Sequence, residues 1–166
     1  ESGNTEMVQK FKEITDICVE RQLQIFDTLD IHFDVFTHES DFVYNNYLDN
    51  ILKRLDKTGR LHEDELGRLY VDLSGYDIPT REPVLVLTRS NKTSLYPMRD
   101  IAYTIHKIEL NPKNNFIVLG EDQEVYMKQI SAVLDILGYK APKLISYSYV
   151  LLDGDKMSTS AGTVVL

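Results

Sequence analysis

The sequence has one cysteine, no tryptophan and fewer basic than acidic residues. A single cysteine, Cys18, among 166 residues excludes an internal disulfide and fits a reducing cytoplasm, so we expect a cytoplasmic protein. Lysine and arginine number 18 against 26 for aspartate and glutamate, which gives a net charge of −8. Charge of this sign repels phosphate backbones at long range and argues against nonspecific nucleic-acid binding by this segment.

Long apolar runs and metal-ligand clusters are also missing from the sequence. No run approaches the roughly 20 apolar residues that a membrane-spanning helix needs, and the acidic start is unlike a signal peptide. The histidines, carboxylates and single cysteine show no zinc-type spacing, so we expect no metal site. With 43% hydrophobic residues, the chain has enough apolar material for a core.

Residues 1–59 are predicted to be a helical segment. Residues 4–30 form an amphipathic pattern whose apolar stripe includes Met7, Phe11 and Ile14. Cys18 continues that stripe, which favours a core position for it over a nucleophilic role. A second helix follows and is predicted to stop at Gly59.

Residues 60–82 are predicted to be a small β insertion, and residues 83–166 to be the α/β part of the chain. Apolar runs and helical patterns alternate after residue 83, at 84–87, 100–110, 116–119, 121–137 and 144–152. Strand and helix alternating at these lengths favour crossover connections and a parallel sheet covered on both faces. We therefore expect an α/β fold, the C-terminal half of a doubly wound, Rossmann-like sheet.

Three polar side chains follow the predicted strands, where ligands bind in open α/β sheets. Tyr96 and Asp100 are four residues apart after one strand, and Gln123 follows the next. A phenol, a carboxylate and an amide oxygen around one cavity suit an arginine side chain. The alternatives are a half-buried strand aromatic, a helix-terminal carboxylate and an exposed first-turn amide.

A lysine lies among hydroxyl groups near the end of the chain. Lys156 precedes Ser158, Thr159 and Ser160, and Ala161 and Gly162 add little bulk after them. An ammonium with hydroxyl and amide donors can close over a phosphate chain. The alternative is a polar surface loop with one solvated lysine.

Three sequence blocks carry a family resemblance. Lys-Met-Ser-Thr-Ser at 156–160 resembles the Lys-Met-Ser-Lys-Ser signature of class I aminoacyl-tRNA synthetases. Continued as Lys-Met-Ser-Thr-x-x-Gly-x-Val-Val, it looks like the version found in arginyl-tRNA synthetases. Tyr-x-x-Arg-Asp-Ile-Ala at 96–102 and Gly-Glu-Asp-Gln-Glu-Val at 120–125 also resemble blocks of that family.

The resemblance implies a reaction and its residues. It implies that Tyr96, Asp100 and Gln123 hold the substrate arginine. It also implies a catalytic Lys156 in an ATP-binding loop that is completed by Met157, Ser158, Thr159 and Ser160. The whole enzyme would join arginine to ATP, with Mg²⁺ arriving on the ATP, and pass the arginyl group to tRNA(Arg).

The resemblance also implies a missing half of the nucleotide site. Class I enzymes use a His-x-Gly-His signature on ATP, and the chain's four histidines do not have this spacing. We therefore expect the second half of a catalytic domain, truncated after the loop at residues 156–160 (the lysine loop) and inactive alone. Two rivals stay open, namely a non-catalytic synthetase-like binding or assembly module, and another nucleotidyl-transfer enzyme.

Overall fold

The structure is a computed structural model that describes residues 4–148, 151–152 and 155–156. In chain order, the elements of the first part are α1 (Thr5–Thr28), α2 (Glu39–Tyr44), α3 (Tyr47–Asp56), β1 (Leu61–Glu63), β2 (Leu69–Asp72) and β3 (Val84–Val86). The others are α4 (Tyr96–Glu109), β4 (Phe116–Gly120), a 3-10 turn (Glu121–Gln123), α5 (Glu124–Ile136), β5 (Lys143–Tyr147), β6 (Leu151–Leu152) and β7 (Asp155–Lys156). Two compact units, residues 1–50 and 51–166, divide inside α3.

Helix α1 of the first unit confirms the predicted amphipathic helix but not its burial. Its cap is Asn4, whose Oδ1 accepts a hydrogen bond of 3.1 Å from the Met7 amide. No residue of α1 is buried, and Phe11 is 63% exposed. Cys18 is also exposed, so the prediction that it belongs to the core was wrong. The 3.6-residue period fixed the helix and its apolar side, but periodicity does not provide a covering partner.

In the second unit, the three strands β1, β2 and β3 form an antiparallel sheet in that order. Val71 of β2 lies opposite Leu85 of β3, and both are buried. The run 84–87 was predicted to join the parallel sheet, and this was wrong because β3 pairs antiparallel with β2. Gly75 (φ +93°) helps the chain to fold back between β2 and β3. The Leu73 amide then donates a hydrogen bond of 2.7 Å to the Pro83 carbonyl across this loop.

The β4–α5–β5 segment confirms the predicted strand–helix–strand order with parallel strands. The last strand was predicted to reach residue 152, but β5 ends at Tyr147. Ile117 is paired in register with Leu144, and Leu119 with Ser146. Helix α5 ends just before Gly138, whose φ of +81° is the left-handed conformation that terminates helices. This pairing places the turn after β4 at the carboxyl edge of a parallel sheet, where ligands bind in such folds.

The two faces of this small sheet differ in exposure. Ile117 and Leu119 are half-buried on one face, whereas Phe116 and Val118 are 51% and 60% exposed on the other. The expectation of a sheet covered on both faces was therefore wrong for the described part of the chain. Side chains alternate along a strand, so Ile117 and Leu119 share the face toward α4 and α5.

Helices α4 and α5 pack against each other and hold much of the core of the second unit. Their buried apolar residues are Met98, Ile101, Ala102, Ile105, Met127, Ile130, Ala132, Val133 and Leu134. Within the described residues, no helix is both long and apolar enough to cross a membrane. The packed helix pair provides a rigid support for the side chains at its sheet-facing edge.

Candidate functional site

Helix α4 presents Tyr96 and Asp100 on one side. Tyr96 is the first residue of α4 and extended Leu95 is the cap, so the alternative that Tyr96 is a strand aromatic was wrong. Pro97 explains this start, because its fixed φ and missing amide hydrogen suit the first helical turn. Asp100 is the fifth residue of the helix, one turn after Tyr96. Residues four apart are neighbours on a helix surface, so the two side chains can face one ligand.

Asp100 is bonded to a side chain from the neighbouring helix. The Tyr126 hydroxyl on α5 donates a hydrogen bond of 2.6 Å to Asp100 Oδ2. Burial and the nearby Asp100 carboxylate raise the pKa of Tyr126, so its hydroxyl stays protonated as a donor. Helix-capping carboxylates act in the first turn of a helix. Asp100 lies beyond the first turn of α4. Its position therefore fits a pocket residue better than a cap.

Gln123 closes the 3-10 turn that follows β4. It is half-buried, and its Nε2 donates a hydrogen bond of 2.8 Å to Asp122 Oδ2. With the amide nitrogen engaged in this bond, Oε1 is the acceptor end of the side chain. The turn thus supplies a neutral acceptor at Gln123, and its role toward a guanidinium stays a prediction.

Tyr96, Asp100 and Gln123 line one cavity of about 210 Å³. The cavity lies between α4, β4 and α5, and its apolar lining comes from Ile117, Leu119, Met127 and Ile130. The structure therefore brings together the three residues that were predicted for arginine. An apolar cavity with a few convergent polar groups is the usual form of a small-molecule site.

One cation also lines this cavity. Lys107 is half-buried, and its ammonium lies 4.6 Å from the ring centre of Tyr103. Burial lowers the pKa of Lys107, whereas the charge of Asp100 opposes that change. Lys107 and Asp100 are the two formally charged residues in the described lining, so the carboxylate is the attractive group for an incoming cation.

The lysine loop is described only at its start. Strands β6 and β7 pair antiparallel, with Leu151 opposite Lys156. The remaining predicted loop residues lie outside the described residues; they are Met157, Ser158, Thr159 and Ser160. The backbone of Lys156 thus lies in a strand pair, and the phosphate-binding role of the loop stays a prediction.

Sequence reasoning missed Tyr126 and Lys107 as members of this site. Tyr126 follows Gln123 by three residues, so a helical start at residue 121 already placed them near each other. Lys107 lies seven residues after Asp100, which is close to two helical turns and the same side of α4. Helical spacing was the available signal, but the contact between α4 and α5 requires the structure.

Comparison with known proteins identifies the family. The family model described as tRNA synthetases class I (R), catalytic domain, matches residues 1–166. An arginine–tRNA ligase from Methanococcus maripaludis is 38% identical over 160 residues, covering 96% of this chain and 27% of that protein. One from Archaeoglobus fulgidus is 34% identical over 165 residues, covering 99% of this chain and 29% of that protein. The chain thus spans less than a third of the length of these curated relatives.

Solved structures show the same fold. The Thermus thermophilus arginyl-tRNA synthetase matches with a TM-score of 0.76 at 22% identity, covering 94% of this chain and 32% of that one. The Plasmodium falciparum arginyl-tRNA synthetase matches with a TM-score of 0.74 at 16% identity, covering 90% and 26%. At these identities, the likeness establishes the mixed α/β fold.

Proposed function

The chain belongs to the family of class I tRNA synthetase catalytic domains specific for arginine, and on that premise we propose that it contributes the arginine pocket of an arginine–tRNA ligase. The full-length enzyme joins arginine to ATP, which carries Mg²⁺, and then transfers the arginyl group to tRNA(Arg). A cytoplasmic location is part of the proposal and rests on the single cysteine of the sequence. The domain limits 1–59, 60–82 and 83–166 are also proposed.

The observation that carries the proposal is the convergence of Tyr96, Asp100 and Gln123 on one cavity. In this site, Asp100 pairs with the guanidinium of arginine, and Gln123 Oε1 accepts a further N–H hydrogen bond. The phenol of Tyr96 contributes a polar group at the wall. Because a guanidinium has five donors in a fixed plane, acceptors on two sides of the cavity favour it over an ammonium.

The nucleotide side of the reaction is assigned to the lysine loop. The arginine carboxylate attacks the α-phosphorus of ATP, and pyrophosphate leaves with the electron pair of the broken P–O bond. Lys156 neutralises the negative charge that develops on this leaving group, aided by the hydroxyls of the loop. Support for this role is the resemblance of residues 156–160 to the Lys-Met-Ser-Lys-Ser signature, in a chain that the family model matches over residues 1–166.

Arginine-dependent exchange of labelled pyrophosphate into ATP, measured with tRNA(Arg) present, tests the proposed function directly. The full-length protein should catalyse exchange with arginine and much less with lysine. A folded full-length protein without exchange would favour the non-catalytic module, and exchange driven by another substrate would favour a different nucleotidyl-transfer enzyme.

Lys156→Ala tests the role of the loop within the same assay. Loss of one transition-state donor typically lowers kcat by about 100- to 1,000-fold, while the arginine KM should change little. Thr163→Ala is the control, because it removes a hydroxyl near the loop and leaves the lysine in place. An unchanged kcat in Lys156→Ala would contradict the assigned role.

A further inference from the structure

Tyr126 contacts two of the three residues assigned to arginine. We propose that Tyr126 is a positioning residue that holds the Asp100 carboxylate in the orientation needed to pair with the guanidinium of the substrate. The inference rests on the proposed function, because it assigns a role within the same pocket. Tyr126 acts through Asp100, and it is the Asp100 carboxylate that contacts the substrate.

The first support is the hydrogen bond between the helices. Asp100 is on α4 and Tyr126 on α5, and the hydroxyl donates to Oδ2 at 2.6 Å. This short distance is typical of a hydrogen bond to an ionised oxygen. A carboxylate without such a partner rotates about its terminal torsion, for which side-chain preferences are broad. The bond from α5 therefore fixes the plane of the Asp100 carboxylate relative to the cavity.

The second support is the stacking of Tyr126 on Tyr96. Their ring centres lie 5.4 Å apart, with an angle of 20° between the planes. Such offset stacking restricts both rings and aims the Tyr126 hydroxyl at its acceptor. Because the stack involves the ring alone, phenylalanine at position 126 would retain it and lose only the hydroxyl.

The third support is the division of the acceptor sites on Asp100. Tyr126 uses Oδ2, and within the described part of the chain no hydrogen bond to Oδ1 is found. Each carboxylate oxygen has two acceptor directions, so one hydrogen bond to Oδ2 leaves room for a paired guanidinium contact. A phenol with the ordinary pKa of about 10 is a protonated donor at neutral pH, and the raised pKa of Tyr126 extends this form to more alkaline pH. The phenol thus orients the carboxylate and leaves its negative charge for the substrate.

A double-mutant cycle in the full-length enzyme tests this role. Tyr126→Phe, Asp100→Asn and the double variant are compared with the wild type by arginine KM, ATP KM and kcat in pyrophosphate exchange. Tyr126→Phe should raise the arginine KM by roughly tenfold and leave the ATP KM nearly unchanged. The double variant should match Asp100→Asn alone, because the hydroxyl acts only through the carboxylate.

Tyr76→Phe is the matched control. Tyr76 also donates to a carboxylate on α5, at 2.7 Å to Asp135 Oδ2, but it is not among the residues that line the cavity. This variant should keep the arginine KM of the wild type, and thermal unfolding of both phenylalanine variants shows whether folding is intact.

The outcomes separate this inference from the function it rests on. If Asp100→Asn raises the arginine KM but Tyr126→Phe behaves like Tyr76→Phe, the positioning role is wrong and the arginine site stands. If the two changes add fully in the double variant, Tyr126 acts independently of Asp100, which also overturns the inference. If neither Asp100→Asn nor Tyr126→Phe changes the arginine KM, both the site and the inference fail.

Discussion

At the scale of single residues, the bond from Tyr126 to Asp100 bears on two interpretations of the aspartate, a helix cap and a pocket residue. A capping carboxylate lies in the first turn of its helix and bonds to backbone amides. Asp100 is the fifth residue of α4, and Oδ2 accepts from a phenol on another helix. The bond joins two helices across the edge of a cavity, which is typical of a prepared binding group.

The same bond predicts a dependence of stability on alkaline pH. The pKa of Tyr126 is raised from 10.0 in the folded protein, so above pH 10 the unfolded chain loses this proton while the folded one keeps it. The free energy of unfolding contributed by this residue is therefore fully present below pH 10 and falls as the pH rises further. Urea unfolding midpoints of wild type and Tyr126→Phe, compared at neutral pH and above pH 10, measure this contribution.

The variant should lose less stability at high pH than the wild type, because it has no phenol to ionise. Equal losses in the two proteins would show that neither burial nor Asp100 raises the pKa of Tyr126.

At the scale of elements, the sequence predicted helices better than strand partners. The spacing of apolar residues and the glycines at 59 and 138 are local sequence features, and they predicted helices α3 and α5. Both glycines have the positive φ that ends helices. The run 84–87 contained no information on its partner, because a buried strand reads the same in either kind of sheet. Pairing depends on residues distant in sequence, and the antiparallel β2–β3 contact had to be observed.

The candidate site shows the same division between local and distant information. Tyr96, Asp100 and Gln123 were predicted from their places after apolar runs and from motif resemblance, and all three line the cavity. Tyr126 and Lys107 were not predicted, because their part in the site depends on how α4 and α5 pack. A sequence motif names the residues near a ligand, whereas the groups that orient them come from tertiary contacts.

At the scale of the whole molecule, the proposed arginine pocket would serve one of the two substrates of arginine activation. Tyr96, Asp100 and Gln123 line the cavity, and the sequence does not contain the His-x-Gly-His spacing that the resemblance to class I synthetases implies for ATP binding. The first curated relatives are several times longer than the matched region, since it covers 27–29% of them. On the proposed function, the rest of the full-length protein would supply the remaining nucleotide contacts.

This view predicts that the 166-residue chain alone has no activity. Expressed by itself, it should give no arginine-dependent pyrophosphate exchange, because the proposed His-x-Gly-His half of the nucleotide site is not among these residues. The full-length protein in the same assay is the positive control, and the isolated chain with Lys156→Ala sets the background. Exchange by the isolated chain clearly above that background would show that residues 1–166 suffice for the first step.

The most direct test of the arginine pocket is the effect of Asp100→Asn on arginine use by the full-length enzyme. Asparagine keeps the shape but removes the negative charge, and loss of a partially buried charged partner costs roughly 2–5 kcal/mol. Asp135→Asn is the matched control, because Asp135 also accepts from a tyrosine hydroxyl but is not among the cavity-lining residues. The quantities to measure are the KM values for arginine and ATP in pyrophosphate exchange, with thermal unfolding as a check on folding.

Asp100→Asn should raise the arginine KM by at least about thirtyfold with little change in the ATP KM, while Asp135→Asn should resemble the wild type. An arginine KM within about threefold of the wild type, in a variant that folds normally, would contradict the assignment of Asp100 to the guanidinium of arginine.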